Sequence, residues 1–296
     1  MSLANNGAED AMAVLHECFD SVDQTAAWQW QCAGANGIRM PISATFADGF
    51  LRLMTGPVAT LDVPEAIDRA IKANANLDGG VKFAIDAERS GLSVCADIAV
   101  LDAPRLRARL GWALAGFDRA AGILDFGVAP PVADESVVPA ASASGVVQLL
   151  QQISWDHSES QPEEWSVALD AGSAPPAKVR IDQGQIVAGV ELARVRNSPA
   201  TSHRALALFL LTACGGLRLV RAFTSELEAQ TAFRLEVAMP PSPAPEEADH
   251  ALAALSVAWQ MCAREAAVLL DETAARLYLA TCVPSFTHQP FNEKEN

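Results

Sequence analysis

A glycine pair that closes a helical segment and opens an alternating apolar run occurs twice in this chain. The first is Leu77-Asp78-Gly79-Gly80-Val81-Lys82-Phe83-Ala84-Ile85-Asp86; the second is Ala213-Cys214-Gly215-Gly216-Leu217-Arg218-Leu219-Val220-Arg221-Ala222. A phosphate-binding glycine loop lies between a strand and a following helix, so that the helix N-terminus faces the anion. Both pairs here come after a helix and before a strand, where an anion would meet the negative end of the helix dipole. They read instead as helix stops, with glycine in the left-handed conformation. Two such junctions predict one fold written twice, and that constrains the chain more than any other feature.

The flanks of the two junctions agree in order. In the first half Met12, Leu15 and Phe19 keep helical spacing; Trp28, Trp30 and Cys32 alternate as a strand; Met40, Ile42, Ala44 and Phe46 make a second. Asp48-Gly49 is a hairpin turn into Phe50–Met54, and Asp62 with Pro64 opens a short helix carrying Ile67 and Ile71. After the glycines, Val81, Phe83 and Ile85 share a face, Ser90-Gly91 turns the chain, and Leu106, Leu110, Leu114, Phe117, Ala121 and Leu124 stripe a long helix. The second half repeats this with a helix near Val146–Ile153, a strand at Trp165, Val167 and Leu169, and a turn at Asp182-Gln183-Gly184. Ser198-Pro199 opens its middle helix through Leu206, Phe209 and Leu210, Leu217 and Leu219 begin the next strand, and Leu252, Leu255, Trp259, Cys262, Ala266 and Leu269 stripe the last helix. Trp28 to Gly79 spans 51 residues and Trp165 to Gly215 spans 50. The expected fold is α+β: two tandem copies of an α-β-β-β-α-β-β-α unit with antiparallel sheets, at 8–126 and 146–272. Residues 127–145, with three prolines and no Lys or Arg, form the linker, and 273–296 a C-terminal extension.

Half of the 296 residues are apolar and 19% are charged, enough for a packed core. The net charge of −15 is spread over both halves. It argues against nucleic acid and anionic membranes as partners, because both need cationic neutralisation. No apolar run approaches the ~18 residues of a membrane span. Six cysteines without a CxxC pair read as reduced, buried thiols of a reducing, cytoplasmic compartment.

The element order, the unit length, the low pI and the junctions at Gly79-Gly80 and Gly215-Gly216 together resemble the class I type III secretion chaperones (the Tir-chaperone-like family) and the related YbjN-like proteins. The resemblance implies a bacterial, non-enzymatic protein that holds an extended segment of a client. Members are typically homodimers of one unit; two units in one chain imply an internal pseudo-dimer, monomeric or weakly dimerising as a whole. By element, the implied contact sets Ile67, Ile71, Phe83 and Ile85 against Leu206, Phe209, Leu210 and Leu219.

Trp28, Trp30 and Trp165 are the candidate partner-binding residues. Buried, they supply core area; exposed, they form a platform for a peptide. Catalytic signatures are missing: no GxxxxGK[ST], GxGxxG, GxSxG or HExxH occurs. His16-Glu17-Cys18-Phe19-Asp20 lacks the second histidine of a zinc-protease helix, and Asp156-His157-Ser158-Glu159 reads as a solvated loop. No cofactor and no metal are expected. Two other readings stay open: an enzyme with a small-molecule site in the cleft between the repeats, where Cys214 stands opposite Asp78, and a structural, self-assembling protein.

Overall fold

The computed structural model describes residues 3–34, 41–60, 64–86, 91–123, 140–170, 172, 174–196, 200–227 and 230–282. Met40, Asp62, Ser90, Leu124, Ser198-Pro199, linker residues 127–139 and the end of the chain from 283 lie outside these.

Helix α1 (Leu3–Cys18) leads into strands β1 (Ser21–Ala26), β2 (Gln29–Ala33), β3 (Ile42–Ala47), β4 (Phe50–Thr55) and the two-residue β5 (Ala59–Thr60). Helix α2 (Pro64–Ala73) continues as a short 3₁₀ turn, Asn74–Asn76, before β6 (Val81–Asp86), β7 (Gly91–Ala99) and α3 (Ala103–Ile123). Then follow α4 (Ala143–Gln152), β8 (His157–Gln161), β9 (Glu164–Val167), β10 (Ala177–Asp182) and β11 (Gln185–Arg196). The chain ends in α5 (Ala200–Gly216), β12 (Val220–Leu227), β13 (Gln230–Met239), α6 (Pro245–Val268) and α7 (Glu272–Cys282). The fold is α+β with two antiparallel sheets, ordered β1-β2-β3-β4-β7-β6, with β5 also on β7, and β8-β9-β10-β11-β13-β12.

Each half carries a strand that the apolar pattern does not announce. β1 (SVDQTA) and β8 (HSESQ) are almost wholly exposed edge strands, so they have no buried face to produce alternation. Helix α4 also starts inside the expected linker, where the Ser142 hydroxyl accepts the Gly145 N–H at 3.2 Å as an N-cap.

The long-helix stripes fold as expected. Leu106, Leu110, Leu114 and Phe117 of α3 are buried, with the helix lying on β6 and β7, and Leu252, Leu255, Cys262 and Ala266 of α6 are buried as the helix packs on β11 and β13. Each such aliphatic side chain contributes about 1.5–3 kcal/mol by leaving water. Trp112 and Trp259 are only half-buried, at the margins of these stripes.

The two glycine junctions differ from each other. Gly79 and Gly80 take positive φ, 69° and 67°, as a stop requires. Gly79 also lies so close to α3 that a Cβ would strike the Trp112 carbonyl. Gly215 and Gly216 instead complete the last turn of α5. A Cβ on Gly215 would strike the carbonyl of Ile85, so glycine there serves close helix-to-strand approach. The left-handed residue before β12 is Leu219, φ 62°. The strand therefore starts at Val220, after the expected Leu217 and Leu219.

The halves exchange helices across their sheets: α5 packs on β6, α2 packs on β12, and α2 meets α5. Asn74, fully buried, joins the two sheet edges. Its amide nitrogen donates to the Phe83 carbonyl at 3.1 Å and the Ala222 carbonyl at 2.9 Å, and its oxygen accepts the Phe83 N–H at 2.7 Å. Backbone groups that a further strand would otherwise claim are satisfied by one side chain.

At the α2–α5 contact, His203 lies edge-on to Phe233 with ring centroids 5.1 Å apart, and its Nε2 is 3.7 Å from Asp68. Burial pushes the imidazole below its usual value, and Asp68 only partly opposes this. The unfolded chain takes up this proton near pH 6.5, so the unfolded state gains on the folded one as pH falls below that. The urea midpoint is expected to drop between pH 7.5 and 5.5. In His203→Gln that part of the slope should vanish; an unchanged slope would show that the titration lies elsewhere.

Candidate functional site

Strand alternation gives the first sheet a polar outer face. Trp30, Ala44 and Leu53 turn inward to the core, so Gln29 and Gln31 of β2, Ser43 and Thr45 of β3, and Arg52 and Met54 of β4 turn outward. On β7 and β6 this face continues through Cys95 and Asp97, opposite Met54 and Arg52, and through Lys82, opposite Cys95.

Where the face meets α5 it is closed by a buried ionic network. Asp97 accepts from Arg52 Nε at 2.7 Å and Nη2 at 3.2 Å, from Lys82 Nζ at 3.2 Å, and from the Leu219 N–H at 3.1 Å. Lys82 is fully buried, and its ammonium also donates to the carbonyls of Leu217 at 2.6 Å and Val220 at 3.0 Å. Arg52 donates to the Gly215 carbonyl at 2.8 Å. Two cations of the first sheet thus cap the C-terminal end of α5, where orphan carbonyls and the negative pole of the helix dipole gather. The Asp97 N–H contact holds Leu219 in its left-handed conformation. Burial alone would push Asp97 up, but Lys82, Arg52 and the Leu219 amide outweigh it and hold the carboxyl below its usual range.

A second network lies on the other sheet. Arg221 donates to Glu236 through Nε at 3.1 Å and Nη2 at 2.5 Å, and through Nη1 to the Leu77 carbonyl. Arg180 reaches the same Glu236 at 3.2 Å. Lys82 and Asp97 are 15 residues apart, as are Arg221 and Glu236.

Between α5 and the free end of the first sheet the outer face opens into a cleft of ≈ 620 Å³. Gln29, Gln31, Ser43 and Thr45 line one side, Met54, Ala84 and Cys95 the floor, and Gly215 and Gly216 the α5 wall. Thr25 of the edge strand β1 also lines it. Ser43 donates to Gln31 Oε1 at 3.3 Å, and the Arg52 guanidinium is committed to Asp97 and α5. Asp86 also lines the cleft, so its amides, hydroxyls and carboxylate above an apolar floor suit a hydrogen-bonding chain rather than an anion. The thiol of Cys95, buried, is pushed up in pKa, mainly by desolvation. No group of three His, Cys, Asp or Glu side chains converges to hold a metal among the described residues.

The tryptophans separate. Trp28 sits in the β1–β2 turn at φ 59° and is 40% exposed. It does not share a strand face with Trp30, because β2 begins only at Gln29. Trp30 and Trp165 are buried in the core, and Trp30 is also among the residues that line the cleft. Ile67, Ile71, Phe83, Ile85, Leu206 and Leu210 are buried, on α2, β6 and α5, the elements through which the halves touch. Phe209 is half-buried and turns to Tyr278 of α7, centroids 6.3 Å apart. Leu219 joins the halves through its backbone N–H. Asn74, Lys82, Asp97, Arg52, Arg221 and Glu236 carry the contact and escape apolar patterning. The equal 15-residue spacing of Lys82–Asp97 and Arg221–Glu236 is a signal for those four; Asn74 and Arg52 have none.

Cys214 is fully buried and its thiol is pushed up to about 12 by desolvation. It has neither the access nor the acidity of a reactive cysteine.

Asp97→Asn should cost about 3–5 kcal/mol in urea unfolding, since it leaves two cations without their shared anion. A loss near zero would show that the network is not a unit. In the native protein a thiol reagent should label Cys282, the exposed cysteine, first, and leave Cys32, Cys95, Cys214 and Cys262 unmodified. Native labelling of Cys214 would reopen an enzymatic reading.

No protein-family model matches this chain, and no curated protein matches it.

Proposed function

We propose that the chain is one α+β unit written twice and folded into an internal pseudo-dimer, and that it is a non-enzymatic chaperone or adaptor holding an extended client segment. Support for the duplication comes from the shared strand order, a helix from each half laid on the other half's sheet, and the paired 15-residue charge spacings. In this register Gly80 corresponds to Leu219, both left-handed, and Lys82 to Arg221. Both reach helix-end or turn carbonyls of the other half.

The observation that carries the binding reading is the ≈ 620 Å³ cleft on the first sheet. It reaches Thr25 of β1, and its amides and hydroxyls match the repeating donors and acceptors of a peptide backbone. Strand addition at β1 or β8 is the poorer mode. Each edge strand carries a register shift beside its turn, at Gln24/Ala26 and at Glu159/Gln161, and bulges blunt an edge against pairing. An enzyme reading finds no imidazole among the residues that line this cleft. A cavity between the halves, beside Gly79, Arg109, Trp112 and Met239, is ≈ 50 Å³, against the roughly 300–1,000 Å³ of ligand pockets.

The test is co-purification of a stoichiometric partner from the source cell with three forms of the protein. The native chain and Gln151→Trp, altered on exposed α4, should recover the same partner. Thr45→Trp, which fills the cleft, should recover at least tenfold less. Equal recovery by all three would remove the cleft from binding, and no partner with any of them would remove the adaptor reading.

A further inference from the structure

The outer face of the second sheet holds its own cleft, of ≈ 470 Å³, built from different chemistry. Lys178 pairs with Glu164 at 3.2 Å, and Arg180 with Glu236 and Asp182 at 3.2 and 3.3 Å. Glu236 is shared with buried Arg221. Glu191 is held by both arms of Arg194, at 2.5 and 3.0 Å. Arg234 is thereby left with Glu191 at 3.9 Å, beyond hydrogen-bond reach. Its Nε is buried and has no hydrogen-bond partner. The charges that line the cleft balance, Lys178, Arg180 and Arg234 against Glu164, Glu191 and Glu236. A buried guanidinium N–H without an acceptor is costly, and a carboxylate is the planar, singly charged group that fits its fork. The surrounding carboxylates repel a more highly charged anion. Phe223, Pro175 and Pro176 wall the cleft and offer apolar contact to whatever carries the acid.

We infer that this cleft is a second binding site, distinct from that of the first sheet, and that Arg234 receives a carboxylate borne on an apolar or aromatic body. The carboxylate comes from a small organic acid or from the C-terminus of a peptide. The inference does not depend on the first cleft holding a client.

The experiment follows the Arg234 Nε–H cross-peak in ¹⁵N-labelled full-length protein while phenylacetate, acetyl-Ala-Ala-Phe with a free C-terminus, its amide, or inorganic phosphate is added. One or both carboxylates should move the peak saturably, and the tighter of the two identifies the source. The amide should leave it in place. Calorimetric titration should show affinity falling about tenfold or more in Arg234→Gln, as loss of a charge-assisted pair predicts, and falling less in Arg234→Lys, with unfolding midpoints of all three proteins compared as a check on the fold. No saturable shift with either acid, an equal shift with the amide, a larger shift with phosphate, or native affinity in Arg234→Gln would each overturn the assignment.

Discussion

An ammonium group with no route to water decides how this molecule is assembled. Lys82 is enclosed between a sheet of the first half and the end of a helix from the second. An isolated buried cation is costly, so Lys82 is tolerable only while Asp97 and the carbonyls of Leu217 and Val220 stay in place. Those carbonyls need an acceptable end for α5, and that end needs Leu219 held left-handed by Asp97. Gly215 must then lack a side chain for α5 to reach β6 at all. Ion network, helix end and glycine contact are one arrangement seen from three residues. Its net contribution to stability is modest in general, because desolvation offsets attraction; what it supplies is a unique docking geometry.

That geometry also makes the clefts. Helix α5 covers the β6 side of the first sheet's outer face, so the β2–β4 side is left open beside a helical wall. On the second sheet the corresponding face carries ion pairs where the first carries amides and hydroxyls. A symmetric homodimer has to present two identical faces. The two faces of this chain are under no such constraint, and beyond their buried ion pairs they differ in chemistry.

Much of the fold is legible in the sequence because core faces obey the periods of strand and helix. The α3 and α6 stripes, the Asp48-Gly49 turn and the strands at Ile42 and Trp165 follow from spacing. What escapes is polar. β1 and β8 have no buried face, so no alternation marks them. The run Trp28, Trp30, Cys32 imitates alternation, yet Trp28 occupies a left-handed turn position open to other residue types as well, Glu163 at φ 62° being another. The glycine pairs suggest one register and the charge pairs another, because Gly215 serves packing where Gly79 serves both packing and chain reversal. The clefts are the least legible part. Their residues come from four or five strands and a distant helix, and single glutamines and serines carry no pattern of their own.

The acceptors for Lys82 lie 135 and 138 residues further along the chain, and the Gly215 carbonyl lies 163 beyond Arg52. At the pace of protein synthesis that distance takes on the order of ten seconds. Until α5 emerges, the first sheet has its inner face to bury but no ligands for the cations on its outer one. Lys82 must stay hydrated, and β6 keeps an edge with only Asn74 to cover it. The newborn first half is therefore an open-faced sheet, waiting for a helix that has not yet been made.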